Sequence, residues 1–339
     1  LLTRPNIALQ RLRNERLIGT RFAAPEDAVR WLTAVQAQDF GGAKWAVGQR
    51  VKRCVDADVE AAYNRGAILR THVLRPTWHF VMPEDIRWLL ALTAPRVKQA
   101  MSYYDRKLEL DARTFKRSNA AITRALRGGK HQTRAELGGV LTSAGIAAGG
   151  QRLGHILLRA EQDAVVCSGT MRGKQHTYAL LDERAPAARA LSRDEALAEL
   201  ARRYFASHGP AMAQDFAWWS GLTVADANAG VAMNDQQLSR HTVDGKTYWF
   251  APSASRARLP DPTVHLLPNY DEYLIAYKDH SASFDGPAPS GSAALYEMLA
   301  RHIVVLNGAV IGGWRNVQGR SEIGIETRLF VGLDERQAG

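Results

Sequence analysis

The chain of 339 residues has little cysteine. Its two, Cys54 and Cys167, lie far apart and form no CxxC pair. That scarcity excludes a disulfide-stapled scaffold and favours no zinc site. Long hydrophobic runs are also missing. No stretch approaches the roughly 18 uninterrupted apolar residues of a membrane span. The opening Leu-Leu-Thr-Arg-Pro-Asn has neither the apolar core nor the cleavage site of a signal peptide. The expectation is a soluble, cytoplasmic protein. Acid is the third shortage: 34 Asp and Glu face 44 Lys and Arg, a formal net charge of +10. Such a balance points to a polyanionic partner. What remains is ordinary, with 46% hydrophobic and 23% charged residues. That excludes disordered and collagen-like chains and, at about 150 residues per domain, suggests two or three domains.

The positive charge is uneven. From Arg96 to Arg134 there are eleven basic residues against three acidic ones, Asp105, Glu109 and Asp111. Arg152, Arg159, Arg172 and Lys174 form a second cluster. A solvated basic face with no partner is the bland alternative to a nucleic-acid face.

A pattern of three helices and a hairpin runs three times. First come helices over 6–17, from Pro25 to near Asp39-Phe40-Gly41-Gly42, and over 56–66, then strands Ile68–Val73 and Thr77–Met82. The second round has helices over 112–127, from the capping box Thr133-x-x-Glu136, and over 151–164. Strands at 165–167 and 177–181 follow, joined by the basic loop Gly169–Gln175. The third opens on Ser192-x-x-Glu195 and closes on a hairpin whose Asp244-Gly245 suits a type I′ turn. Three helices and a hairpin make a winged helix. The expected fold is therefore α+β, mainly α: three tandem winged-helix units over 1–95, 96–190 and 191–260, and a β-rich element over 261–339. In that last element a Ser/Pro/Gly-rich loop is expected at 281–292 and a hairpin around Asn307-Gly308.

Five motifs carry a resemblance. They are Gln36-Ala37-Gln38-Asp39, Leu74-Arg75-Pro76-Thr77-Trp78-His79, Gly209-Pro210 with Asp215-Phe216-x-Trp218-Trp219-Ser220-Gly221-Leu222, Leu266-Leu267-Pro268-x-Tyr270-Asp271, and Gly308-x-Val310-x-Gly312-x-Trp314. In this order they resemble the tandem winged-helix family that contains the AlkZ-like and YcaQ-like DNA glycosylases. The resemblance implies three winged helices around DNA and excision of N7-alkylated purines, crosslinked ones included, by a Gln-x-Gln or Gln-x-Asp motif. Pro76 stands where many members have Gly, which alters the tip of the first hairpin.

The residues suit that chemistry. An N7-alkylguanine is already cationic and leaves as a neutral base. The site then needs only to hold a water and tolerate positive charge, and neutral amides do both. Gln36 and Gln38 share a face only in an extended segment, so the helix must end near Val35 to Ala37. The alternative is two exposed polar residues of a last helical turn. Asp39 either stabilises the sugar cation or aligns the water, or is a plain turn residue. Lys44, Arg75, His79, Arg152, Arg172 and Lys174 are candidate DNA contacts. For His79 the alternative reading is a structural hydrogen-bonder, the commoner role of a lone strand His, while Trp45 reads as core, and Trp218, Trp219, Tyr270 and Tyr273 as packing. No His/Cys/Asp/Glu set has metal-ligand spacing and no Lys is placed by motif as a Schiff-base nucleophile. The expectation is a monofunctional, monomeric enzyme on duplex DNA, without metal or cofactor, in the cytoplasm and nucleoid-associated. A non-catalytic DNA-binding regulator is the alternative.

Overall fold

The computed structural model describes residues 3–252, 262–284, 297, 301–318 and 322–332. Beyond residue 284 the expected 281–292 loop lies outside them. In chain order the elements are α1 (Arg4–Asn14), α2 (Pro25–Leu32), β1 (Ala34–Gln36), α3 (Phe40–Gln49), α4 (Asp56–Asn64), β2 (Leu69–His72) and β3 (Trp78–Val81). Then come α5 (Ile86–Lys107), α6 (Ala112–Leu126), β4 (Gln132–Thr133), α7 (Arg134–Ser143), α8 (Gln151–Gln162), β5 (Val166–Ser168), β6 (Thr177–Leu180) and α9 (Leu181–Arg184). They are followed by α10 (Arg193–Ser207), α11 (Ala213–Ser220), α12 (Val224–Ala232), β7 (Ser239–Val243) and β8 (Lys246–Phe250). The last are β9 (Val264–Leu267), α13 (Glu272–Ile275), β10 (Ile303–Leu306), β11 (Ala309–Gln318) and β12 (Ile323–Leu329). No helix among the described residues is long and apolar enough to cross a membrane.

The chain divides into two compact units. One comprises Leu1–Asp56, Ala198–Trp219 and Thr223–Gly339, the other Ala57–Leu197 and Ser220–Leu222. The second unit is built on the apolar faces of α6, α7 and α8. Phe115, Ile122, Leu126, Leu137, Leu141, Ile156 and Leu157 close on one another there. Asp111 caps α6, accepting from the Thr114 amide at 2.7 Å. Thr133 and Glu136 cap α7 reciprocally, as their spacing predicts. Strands β4, β6 and β5 form a small antiparallel sheet in that order. In the same unit β2 and β3 make a hairpin that pairs Leu69 with Val81 and His72 with Trp78.

The first unit carries a four-stranded antiparallel sheet in the order β12, β11, β10, β9. Asn307 and Gly308 turn β10 into β11 with φ of 51° and 89°, and Asp244 and Gly245 turn β7 into β8 with 49° and 74°. Both are the doubly positive turns that Asn-Gly and Asp-Gly allow. The same unit holds a fully buried cation. Arg50, the C-cap of α3, uses all five of its N–H groups. It donates to the Glu15 carbonyl (3.0 Å), the Ala46 carbonyl (2.9 Å), both Asp271 carboxylate oxygens (2.9 and 3.0 Å) and Glu15 Oε2 (2.7 Å). Glu15 also accepts from the Tyr277 hydroxyl at 2.9 Å. Burial raises the Glu15 carboxyl to about 7, against the pull of Arg50. Arg50 itself is held charged, because its two carboxylates outweigh its own desolvation.

The second predicted helix is one shorter helix followed by a strand. The helix stops at Leu32, because Thr33 takes φ 72°, and the chain runs extended through Gln36. Gly41 and Gly42, read from sequence as a breaker, lie in the first turn of α3. That corrects the expected boundary. Asp39 nucleates the turn by accepting from the Gly42 amide at 3.0 Å.

Arg50→Ala leaves Glu15 and Asp271 buried and uncompensated. It should destabilise this unit by about 3–5 kcal/mol, read as a lowered urea midpoint. Acid should act through buried imidazoles. His265 on β9 is 7% exposed, and burial, assisted by Arg21 and Arg50, pushes it down to about 4. The unfolded ring takes a proton near pH 6.5 that the folded one refuses. The contribution of His265 to stability should therefore be complete above about pH 6.5 and be lost as the pH drops towards 4. Thermal melts should show His265→Gln removing up to about 3 kcal/mol of that loss.

Candidate active site

Gln36, Gln38 and Asp39 lie in one short segment between α2 and α3. The helix ends at Leu32 and β1 ends at Gln36, so Gln38 and Asp39 follow in a bend that leads into α3. Ala37 between them is 0% exposed. Gln36 is buried at 7%, whereas Gln38 and Asp39 are exposed.

Two residues from the C-terminal element hold this segment. Glu272, fully buried at the start of α13, accepts the Gln36 backbone N–H on Oε1 at 2.7 Å. Its Oε2 accepts from Trp219 Nε1 at 2.8 Å and lies 3.5 Å from His208 Nε2. Glu272 thus fixes the backbone of the motif rather than presenting a carboxylate to a substrate. Asn269 donates from Nδ2 to Asp39 Oδ2 at 3.1 Å, and its backbone N–H donates to His302 Nδ1 at 2.9 Å. His302 stacks on Trp314, with centroids 4.6 Å apart and planes at 24°. Trp314 Nε1 is anchored on the Leu267 carbonyl at 2.8 Å.

Around this core the structure corrects two readings. Lys44 is not a free phosphate contact: its Nζ is ion-paired with Asp56 at 2.7 Å and lies 5.2 Å from the Phe40 ring centre. Trp45 is not core, being 45% exposed. Its indole N–H donates to the Leu266 carbonyl at 2.8 Å, and its ring lies 5.6 Å from that of Trp314. A cavity of about 410 Å³ opens beside Lys44 and Trp45, and one of about 610 Å³ beside His302 and Trp314, flanked by Arg301, Arg315 and Arg328. Trp219 and Tyr273 are fully buried, in keeping with packing roles.

The other candidates belong to the second unit. Arg75 is half-buried at the tip between β2 and β3. His79 is 0% exposed, its Nδ1 paired with the Thr77 carbonyl at 2.9 Å. Burial and the nearby Arg75 hold its pKa well below the ordinary imidazole value. It therefore offers no surface to a phosphate here. Arg152 is engaged with the Ala147 and Leu108 carbonyls. Arg172 and Gln175 exchange backbone hydrogen bonds (2.9 and 3.1 Å) across a tight turn at Gly173 and Lys174. Arg172 is half-exposed, yet its guanidinium meets Glu136 at 2.6 Å and the His131 carbonyl at 2.8 Å. Lys174 is exposed, with no ion-pair partner among the described residues.

Sequence reasoning missed Glu272, Asn269 and His302. Two of them flank or lie within the Leu-Leu-Pro-x-Tyr-Asp motif, so a signal was present; His302 stands in no motif. Among the described residues no group of three or more His, Cys, Asp or Glu side chains is placed to hold a metal ion.

Comparison with known proteins follows the same direction. The solved structure of Streptomyces sahachiroi DNA glycosylase AlkZ superposes with a TM-score of 0.77, at 21% identity, over 99% of this chain and 93% of that one. At that identity the likeness speaks to fold alone. A search of curated protein sequences found no match. Residues 29–338 match the family described as DNA glycosylase AlkZ-like. That match spans nearly the whole chain, and the protein belongs to the AlkZ-like DNA glycosylase family.

Proposed function

We propose that this DNA glycosylase hydrolyses the N-glycosidic bond of cationic N7-alkylpurines in duplex DNA, with a water positioned by Gln36 and Gln38. The observation that carries the reading is the short Gln36–Asp39 segment between the end of β1 and α3, locked through its backbone by Glu272 and through its carboxylate by Asn269. In the reaction the bond between C1′ and N9 breaks, and its electron pair neutralises the alkylated base. A water oxygen bonds to C1′ and releases a proton to solvent. Amide groups suffice to orient that water. Asp39, exposed beside them, supplies negative charge to the oxocarbenium-like sugar. Glu272 has both oxygens engaged, so it leaves no spare acid for a neutral leaving base. Substrate choice then follows from charge: a lesion that carries its own positive charge departs unaided. Bulky crosslinked purines fall in the same chemical class.

The DNA-binding architecture belongs to the same proposal. Three winged-helix units, over 1–95, 96–190 and 191–260, with the β-rich element at 261–339, act as a monomer on the phosphate backbone, in the cytoplasm at the nucleoid. The recurrent helices and hairpin ends, and the exposed basic residues of α5 and α6, support it.

Gln36→Ala and Gln38→Ala should leave DNA affinity nearly intact, each removing one neutral group. Single-turnover excision of N7-methylguanine should fall about tenfold to a hundredfold, equivalent to about 1.4–2.7 kcal/mol. Uncharged alkyl adducts should be poor substrates of the wild type. Full activity in the double variant rejects the site. Binding without excision of any cationic purine rejects the chemistry and leaves a DNA-binding regulator.

Binding itself should be independent of sequence, with a log–log salt slope of roughly −4 to −6. Replacing Arg172 and Lys174 together by Ala should weaken it evenly across sequences and flatten the slope by about one per lost contact. An unchanged slope in filter binding removes this turn from the DNA interface.

A further inference from the structure

We infer that Asn269 and His302 are positioning residues of the reaction centre, which set the direction of the Asp39 carboxylate through a relay anchored on the C-terminal sheet. The inference rests on the reading of Gln36–Asp39 as that centre.

Three observations carry it. First, Asp39 is exposed at the mouth of α3, where an aspartate is free to change rotamer. One of its oxygens is fixed by the Gly42 amide and the other by Asn269 Nδ2. The second bond removes the remaining freedom. Second, the Asn269 side chain is placed at a cost. Its Oδ1 is buried and finds no hydrogen-bond partner among the described residues. A buried amide oxygen left unpaired destabilises a fold, and such exceptions call for an explanation. A methyl group at Gly42 would lie 2.7 Å from that oxygen, so glycine is what admits Asn269 to this position. The opposite amide orientation would turn the oxygen against a carboxylate.

Third, the backbone of Asn269 is itself held. His302 Nδ1 accepts its N–H, which puts the ring proton on Nε2. The ring lies flat on Trp314, whose indole is tied to the Leu267 carbonyl. The chain of contacts runs from β9 and β11 to the carboxylate without a rotatable, unsupported link. Burial lowers the His302 pKa, against the opposing pull of Asp39. That favours the neutral ring, the form that accepts.

The experiment uses the full chain and a duplex with a single N7-methylguanine, under single-turnover conditions, with affinity measured in parallel. Asn269→Ala should lower the rate about tenfold and change Kd by less than about twofold. Asp39→Ala should lower it at least as much. The double variant should be no slower than Asp39→Ala, because Asn269 acts only through Asp39. His302→Ala should slow excision in the same non-additive way. Multiplying effects in the double variant, a wild-type rate for Asn269→Ala, or a matching loss of affinity overturns the inference. Should Asn269→Ala not fold, Asn269→Asp preserves the size and sets two carboxylates against each other. It should lose the rate, and the exchange Asp39→Asn with Asn269→Asp should restore the melting temperature but not excision. Asn269→Asp at full rate overturns the inference. The two readings separate cleanly. If Gln36→Ala and Gln38→Ala keep full rate, the reaction centre lies elsewhere and both fall. If they lose the rate and Asn269→Ala does not, only the relay falls.

Discussion

Arg50 is the constraint on which the first unit depends. Three helix ends meet at it: the C-cap of α1 at Glu15, the C-cap of α3 at Arg50 itself, and the N-cap of α13 at Asp271. A guanidinium has five fixed donors, and here each finds an acceptor. The three chain segments are therefore fixed in direction as well as in distance. An apolar cluster would hold them together with less angular precision. Glu15 needs the cation equally, since burial pushes its carboxyl up and Arg50 opposes that rise.

The site inherits its geometry from that junction. Asp271 binds Arg50, and its neighbour Glu272 binds the Gln36 backbone. Two residues earlier, Asn269 binds Asp39. A four-residue stretch thus fastens both ends of the segment from Gln36 to Arg50. Between them the side chains of Gln38 and Asp39 are exposed, while the carboxylates of Glu272 and Asp271 that hold the segment are buried. The division of labour is sharp. Buried charge supplies rigidity, and the proposed reaction centre is built of neutral amides with one exposed carboxylate.

Much of this was legible where the signal is local. The turns at Asp244-Gly245 and Asn307-Gly308 require positive φ at two successive positions, and few residue pairs permit that. The capping boxes at Thr133 and Ser192 join groups three residues apart, and both are formed. The Gln motif stood out through family resemblance, and the need for an extended backbone followed from side-chain periodicity. What stayed hidden depends on distant partners. Gly41-Gly42 reads as a breaker because glycine weakens helices, yet α3 starts there. Asp39 supplies the cap, and Asn269, 230 residues away, needs the space. Lys44 looks like a surface cation until Asp56 is placed beside it, and Trp45 looks like core until the Leu266 carbonyl is seen to hold it near the surface.

The separations involved govern when the enzyme comes into being. Gln36 is 236 residues from Glu272, and Arg50 is 221 from Asp271. Synthesis proceeds from the N-terminus, so the motif leaves the ribosome long before the residues that hold it. Until some 270 residues have been made, the segment around Gln36 has no Glu272 to shape its backbone, and Arg50 has no Asp271. Contacts so remote in sequence also close slowly. A nascent or prematurely terminated chain can carry basic helices and the glutamines and still lack an assembled centre. The segment around Gln36 therefore reaches its final shape only once the last fifth of the polypeptide has been made and folded against it.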